Sequence, residues 1–455
     1  MALVTIILAA GRGTRMNSDK AKALHCLAGR PLLSHVIDIA RVINPDKIVV
    51  LIGHQASEVR KAVTDPDIIW VEQGEILGTG HAVKQALPHI DANDRVVVLN
   101  GDGPVIRPQS LQSLLEKTSK DGLGLLTARF PDPTGLGRIC RATDGRVKAI
   151  VEEKDASEST RRIDEVYSGT MCVNAGFLHE SLAYLSNDNK QREYYLTDIV
   201  TMAVQRNYAV TAHIVDDYRE VLGVNTKAQL AQIERYYQDT QAKALMAQGV
   251  TLCDPARLDV RGSLTCGRDV TIDVNVIIEG DVFIGDGTSV GAQSVLKNVT
   301  LGKDVEVRAF CHLEEATVAD GCVIGPYARL RPGAKLDEGV HIGNFVEIKK
   351  STIGKSSKVN HLTYVGDAKI GERVNVGAGT ITCNYDGANK HLTVIEDDVF
   401  IGSGNQLVAP VTIGRGATTG AGSTIRKDAP AGELTLSMSQ QKTIPGWLRP
   451  EKKGE

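Results

Sequence analysis

Two rhythms of apolar residues run along the chain, and one gives way to the other near residue 250. Up to about Thr226, short apolar runs (Val4 to Ala10, Lys47 to Ile52, Ile68 to Val71, Arg95 to Leu99 and Leu123 to Ala128) alternate with stretches of helical pattern. That alternation predicts a parallel-rich sheet with crossover helices, a doubly wound α/β domain. In such sheets ligands sit beyond the carboxyl ends of the strands, so the residues that follow these runs are where chemistry is expected.

Past Thr251 the period becomes six. Ile272, Ile278, Ile284, Val290 and Leu296 follow it, then Ile324, Leu330, Leu336, Ile342 and Ile348, and later Ile395, Ile401, Leu407 and Ile413. Glycine often comes next, as at Ile324-Gly325 and Ile401-Gly402. This is a hexapeptide repeat, in which three hexads make one triangular coil with the aliphatic residue inward and small residues at the corners. Between the two halves, Lys227 to Gln248 contains neither Pro nor Gly, and Leu230, Ile233, Tyr237 and Ala244 fall near one helical face before Gly249 ends it. Such a helix is about 33 Å long. It reads either as a spacer or as the packed last helix of the first domain. The expected division is a domain over 1–226, a helical linker over 227–248 and a β-solenoid over 249–455.

Length and composition narrow the class. At 455 residues the chain is too long for one ordinary core, and 42% hydrophobic with 24% charged residues fits a soluble globular protein. A net charge of −3 provides no broad basic field for nucleic acid or an anionic membrane. The apolar opening from Ala2 to Ala10 is too short to span a bilayer, lacks a basic flank and runs into glycines, so neither export nor membrane insertion is expected. Eight scattered cysteines without a CxxC pair read as reduced, mostly buried thiols in the cytoplasm.

The first apolar run ends in Leu8-Ala9-Ala10-Gly11-Arg12-Gly13-Thr14-Arg15-Met16. Glycines after a strand let backbone N–H groups approach a phosphate chain, and Arg15 would add charge. The loop is neither a Walker loop nor a dinucleotide fingerprint, since Met16 stands where a third glycine belongs. Taken alone it is as well described as a tight turn. Its company matters more: Lys22 follows, Leu77-Gly78-Thr79-Gly80 makes a second glycine turn, and Asn100-Gly101-Asp102 closes a strongly apolar run. A carboxylate at a strand end can hold Mg²⁺, although an isolated Gly-Asp also caps turns.

The hexad region has its own polar interruption, which a scaffold alone does not need. Arg329 and Arg331 are followed by Lys349, Asn360-His361-Leu362-Thr363-Tyr364, Asn375 and the run Thr382 to Lys390. Cations on neighbouring coils can converge on a phosphate, and a histidine among them can take a proton from an amine near neutral pH. A lone histidine on a solenoid is otherwise a corner or surface residue.

Together these segments resemble the bacterial family of bifunctional N-acetylglucosamine-1-phosphate uridylyltransferases / glucosamine-1-phosphate N-acetyltransferases over essentially the full length. The match includes the loop, Lys22, Gln73, Gly78-Thr79, Asn100 to Asp102, Gly137 within Pro133 to Arg138, Glu152, and Asn225 in Glu220 to Asn225. The resemblance implies a Rossmann-like nucleotidyltransferase domain followed by a left-handed parallel β-helix. It implies that Leu8, Ala9, Ala10, Gly11, Arg15, Lys22, Gln73, Gly78, Thr79, Asn100 and Gly101 bind UTP, that Asp102 and Asn225 hold Mg²⁺, and that Gly137, Glu152 and Tyr167 meet the sugar nucleotide. It further implies His361 as general base, with Arg331, Lys349 and Lys390 on the phosphate of glucosamine 1-phosphate and Tyr364 and Asn375 on its sugar. Ala378, Asn384, Tyr385, Ser403, Ala421 and Met438 match positions at the acetyl-CoA cleft. Acetylation of glucosamine 1-phosphate would precede uridylyl transfer onto N-acetylglucosamine 1-phosphate, and a homotrimer with the acetyl site between solenoids is implied.

Five positions depart from the family pattern. Ala21 replaces a proline before Lys22, which would leave the approach of that lysine less rigid. Gly103 replaces an apolar residue and Leu222 a glutamate. Tyr167 stands where an asparagine contacts the N-acetyl sugar, and Met438 where a basic residue serves acetyl-CoA. Two other classes remain on these residues: a single-function sugar-1-phosphate nucleotidyltransferase whose solenoid only drives assembly, and a non-catalytic scaffold.

Overall fold

The structure is a computed structural model that describes residues 2–438 and 441–449. The chain divides into two compact units between Gln238 and Asp239.

The N-terminal unit is built on a mixed sheet. Its strand order is Val210–Ile214, Leu123–Arg129, Glu165–Asn174, Arg95–Asn100, Leu3–Leu8, Lys47–Ile52 and Ile68–Glu72. Six of these strands share one direction, and Glu165–Asn174 runs antiparallel to both its neighbours. Alternation along the central strand serves two cores. Val4 and Ile6 pack with Ala82, Val83 and Ala86 of the helix Thr79–Ala86, whereas Ile7 packs with Leu33, Val36 and Ile37 of the helix Leu32–Arg41. Helices thus cover both faces, the doubly wound arrangement that buried parallel strands require.

The first strand ends at Leu8, two residues earlier than its apolar run. The Ala9 N–H still donates to Leu51 O at 2.8 Å, after which the backbone leaves the sheet. Leu8 pairs with Asn100 in register, so the loop after one strand and the Gly101-Asp102 turn after the other emerge side by side. A hairpin of Arg138–Arg141 and Val147–Val151 joins the sheet where Val166 meets Arg138.

In the C-terminal unit the middle coils each give one short strand to a sheet of 11 and two to a sheet of 17, the first two coils give the larger sheet one long strand apiece, and all pairings between the named strands are parallel. Every hexad aliphatic named above is buried, from Ile272 to Ile413, in one continuous core. Several Ser and Thr side chains also face inward: Thr288, Ser294 and Ser357 donate to backbone carbonyls, whereas the buried hydroxyl of Thr393 has no hydrogen-bond partner. Hydrogen-bonded residues of successive coils lie 17 or 18 apart, and 25 apart across the coil that contains residues 384–391.

A helix runs over Lys227–Ala247, against the expected 227–248. It is not a bare arm over its first half: Ile233 is buried with Met16, Leu27, Leu32 and Val224, and Glu234 accepts the Ala28 N–H at 2.8 Å. The thiols also differ from expectation. All eight cysteines are free, but only Cys172, Cys311 and Cys322 are buried, while Cys26 and Cys253 are exposed.

Candidate functional site

Two adjoining clefts open at the strand ends of the N-terminal unit, with volumes of about 310 and 550 Å³, and they share Leu8, Thr79, Asn100 and Asp102. The smaller is walled by Ala9, Ala10, Gly11, Lys22, Gln73, Gly78 and Gly101, and the larger by Gly137, Glu152, Tyr167 and Asn225. Of the nucleotide-site candidates, only Arg15 lines neither. It reaches the same place through its Nη2–H, which donates to Asn225 Oδ1 at 2.8 Å.

Local structure accounts for each placement. Gly13 has φ 65°, and a Cβ there would lie 2.8 Å from the Lys22 Cβ, so glycine lets Lys22 cross the loop. The Lys22 ammonium then pairs with Asp102 Oδ2 and donates to Asn225 Oδ1 at 2.7 Å. Asn225 is held against Asp102 because the Val224 N–H donates to Asp102 O at 2.9 Å. The Gly78-Thr79 turn is pinned by Tyr194 N–H to Leu77 O and Gly80 N–H to Tyr194 O, both 2.8 Å. Gln73 Nε2 lies 3.0 Å from His81 Nδ1 beside that turn.

The loss of proline before Lys22 does not loosen it. Ala21 is buried, and its N–H, which proline would lack, donates to Gln55 Oε1 at 2.7 Å. Gly103 and Leu222 both line the larger cleft, and a Cβ at Gly103 would meet Asn100 O at 3.8 Å, an ordinary contact.

Strand pairing assembles the far end of the larger cleft. Gly137 and Glu152 flank the register pair Arg138 and Val151, and the Tyr167 N–H donates to Gly137 O at 2.9 Å. Burial pushes the Glu152 carboxyl above its ordinary value, offset in part by the Thr197 hydroxyl, which donates to it at 3.0 Å. Thr197 was not among the sequence candidates, and nothing in its spacing marks it. Tyr167 lines the cleft and packs against the core behind it, while its hydroxyl is buried without a hydrogen-bond partner. Burial, with Glu152 nearby, pushes that phenol well above its ordinary value.

Asp102 and Asn225 present two hard oxygens that converge on one cationic nitrogen. Such a donor set suits Mg²⁺, which takes one or two carboxylates and completes its shell with water and phosphate oxygens. No group of three or more His, Cys, Asp or Glu side chains is arranged to hold a metal ion among the described residues.

On the solenoid, charge runs in a column. Arg261, Glu279, Lys297 and Glu314 occupy one register position on successive coils, with pairs at 3.2 Å and 2.7 Å. One residue beyond the paired Leu313, Leu330 and Ile348, the column continues as Glu314, Arg331 and Lys349. Alternation fails at Lys349, where a second cation follows Arg331. Lys390, brought in from the loop, lies against Lys349 and, with burial, pulls it below its ordinary value. Glu347 accepts from Arg331 at 2.8 Å, and Asp367, which also faces Lys350, offsets Lys349 only in part, so cations outnumber carboxylates here, a surplus that suits an anion.

Tyr364 folds over Gly366, where a Cβ would come within 2.3 Å of the phenol oxygen, and Gly366 pairs in register with Lys349. His361 ends the strand Lys358–His361 and pairs in register with Asn344, one coil away. Asn344 Oδ1 lies 2.9 Å from His361 Nδ1; with the Nδ1 proton on that bond, the Nε2 lone pair faces outward. Asn344 was missed in the sequence, although its offset of 17 from His361 is the coil repeat. Asn375 lies on the same sheet, paired with Lys358 and Phe400.

Asn384 is buried and donates to Asp367 Oδ2 at 2.5 Å. Tyr385 and Lys390 bridge the base of a loop that Asp386 fixes by accepting from the Ala388 and Asn389 N–H groups. Ala378, Ser403 and Ala421 precede Gly379, Gly404 and Gly422, which stack at one corner of successive coils. Below His361 the same corner carries Phe310, Tyr327 and Phe345, stacked at 4.9 and 5.3 Å and each about half exposed. Met438 is almost fully exposed.

Comparison with known proteins matches this division. Residues 5–252 fit the MobA-like NTP transferase domain, and residues 315–350 and 392–427 fit the six-repeat bacterial transferase hexapeptide family. A relative in Cupriavidus pinatubonensis, named bifunctional protein GlmU, is 54% identical over 450 residues, 99% of each chain. Relatives of the same name in Ralstonia nicotianae and Nitrosospira multiformis are each 53% identical over 98% of both chains. With a nucleotidyltransferase sheet and a hexapeptide solenoid in one polypeptide, and more than half its residues identical to such relatives along nearly its whole length, the chain belongs to the GlmU family of bifunctional transferases.

Proposed function

We propose that the solenoid acetylates glucosamine 1-phosphate from acetyl-CoA and that the N-terminal unit transfers uridylyl from UTP to the N-acetylglucosamine 1-phosphate so formed. The observation that carries the reading is a histidine, His361, oriented by Asn344 on a solenoid that also draws Lys390 to Lys349, features that a purely structural solenoid does not need.

In the acetyl reaction, Arg331, Lys349 and Lys390 bind the sugar phosphate, and Tyr364 and Asn375 orient the sugar. The amine attacks the thioester carbonyl carbon, His361 Nε2 takes the amine proton, and the C–S bond breaks to release the CoA thiolate. Asn344 keeps the histidine in the right tautomer. The track of small residues at Ala378, Ser403 and Ala421 receives the pantetheine arm, with Asn384 and Tyr385 beside it and Met438 farther along.

In the uridylyl reaction, Ala9 to Gly11, Gln73 and Gly78-Thr79 hold UTP, and Arg15 and Lys22 offset its charge. Gly137, Glu152 and Tyr167 hold the acceptor sugar. A phosphate oxygen of the acceptor attacks the α-phosphorus, and the bond to the bridging oxygen breaks to free pyrophosphate. Mg²⁺ held by Asp102 and Asn225 would supply charge neutralisation at the phosphate oxygens.

The assembly we propose is a homotrimer in which the exposed column of Phe310, Tyr327 and Phe345 faces a second copy and brings His361 to the subunit boundary. No helix of the described residues is long and apolar enough to cross a membrane. Eight unpaired thiols fit the reducing cytoplasm.

The test is an assay of both half-reactions on purified protein. CoA thiol should appear only when glucosamine 1-phosphate is present, and pyrophosphate only when UTP and N-acetylglucosamine 1-phosphate are combined. Pyrophosphate without any thiol release would leave a single-function nucleotidyltransferase, and neither product would leave a scaffold. A second expectation concerns Tyr167, whose hydroxyl is walled off and gives the sugar no hydrogen bond. Tyr167→Asn should lower KM for N-acetylglucosamine 1-phosphate by about fivefold, the worth of one net hydrogen bond, with KM for UTP unchanged. Steady-state kinetics that show neither KM nor kcat moving would place the side chain away from the sugar.

A further inference from the structure

The seat between Asp102 and Asn225 already holds a positive charge that belongs to the protein. Lys22 Nζ pairs with Asp102 Oδ2 and donates to Asn225 Oδ1 at 2.7 Å, and Arg15 donates to that same Asn225 oxygen at 2.8 Å. Both oxygens are therefore engaged by cations. An ammonium bonded to Asp102 Oδ2 and Asn225 Oδ1 competes with a divalent cation for the same lone pairs and repels it strongly at contact distance.

We propose that Lys22 is a built-in stand-in for the metal: its ammonium fills the Asp102–Asn225 seat, and a divalent cation enters only once a nucleotide's phosphates have drawn the lysine away. The inference rests on the reading of Asp102 and Asn225 as the metal pair. The lysine has the means to move. Its four-carbon stem is flexible, it crosses open backbone at Gly13, and it lines the same cleft as the glycine loop that would carry the phosphates. Retraction toward that loop keeps the ammonium paired, now with phosphate in place of carboxylate. Metal and nucleotide binding then become cooperative, and the nucleotide-free protein is shielded from stray divalent ions.

The experiment titrates Mn²⁺ into the nucleotide-free, full-length protein, with free Mn²⁺ followed by electron paramagnetic resonance. Lys22→Met keeps most of the stem and removes the charge, and it should bind Mn²⁺ roughly tenfold or more tightly than the wild type. Lys22→Arg should stay weak. A non-hydrolysable UTP analogue should enhance Mn²⁺ affinity less in Lys22→Met than in the wild type. Equal or weaker Mn²⁺ binding in Lys22→Met overturns the proposal, and Lys22→Gln replaces that variant should it fail to fold. Asp102→Ala in the Lys22→Met background should abolish the gain. If the gain survives there, the metal pair itself has been misassigned, a failure distinct from that of the stand-in.

Discussion

Asp102→Ala should abolish metal-dependent uridylyl transfer while acetylation of glucosamine 1-phosphate stays within about twofold of wild type, since the two sites share no residue. Asp102 provides the one carboxylate of the oxygen pair, and the remaining amide oxygen of Asn225 is neutral and already shared by Lys22 and Arg15. Without Asp102 the seat presents two cations and no anion, so a divalent ion has nothing to bind. The residue follows the strand Arg95–Asn100 and lines a cleft, so the fold does not depend on packing its side chain. Circular dichroism and parallel assays of the two half-reactions check this. Loss of both activities in a folded protein would mean that the sites are coupled.

His361→Ala should do the reverse, with acetyl transfer falling by about 10²- to 10⁴-fold, the usual worth of a positioned general base, and uridylyl transfer unaffected. The side chain is exposed at the end of its strand, and the inward residue that holds this coil is Val359, so the solenoid should persist. The drop should lie in kcat, because the phosphate and sugar of the substrate are held by other residues. A drop confined to KM would make His361 a binding residue and leave the base elsewhere.

Much of this was legible in the sequence because periodicity reports directly on burial. The hexad aliphatics announced their coil from their numbers alone, and each proved to face the core. The glycine turns after the first strand and after Arg95–Asn100 were also legible, as apolar runs that stop near glycine, although the first strand ends at Leu8, two residues before its run does. The antiparallel strand Glu165–Asn174 was not read as a strand, since its register shifts between Tyr167 and Met171 and its polar residues interrupt any alternation. For the same reason the sealed Tyr167 hydroxyl was invisible: a sequence shows that a ring is present, not which way its polar tip turns. The approach of Lys390 to Lys349 depends on a loop that leaves and rejoins one coil, and no spacing rule encodes it. Ala21 makes the complementary point, because what looked like a loss of stiffness is a gained hydrogen bond to Gln55.

On a solenoid, a residue's position is set by its number modulo the coil, much as a codon is set by its reading frame. Asn344 supports His361 because they are one repeat apart; coils of 17 and of 18 residues follow one another without loss of the inward pattern, so a corner can take up one residue but a strand cannot. The loop over 384–391 escapes this constraint. The strand pairings resume in phase on either side of it, at Cys383 with Val408 and at Ala368 with Thr393. Its length can therefore change without disturbing the scaffold, which leaves the reach of Lys390 as a quantity that evolution, or an engineer, can adjust separately from the fold.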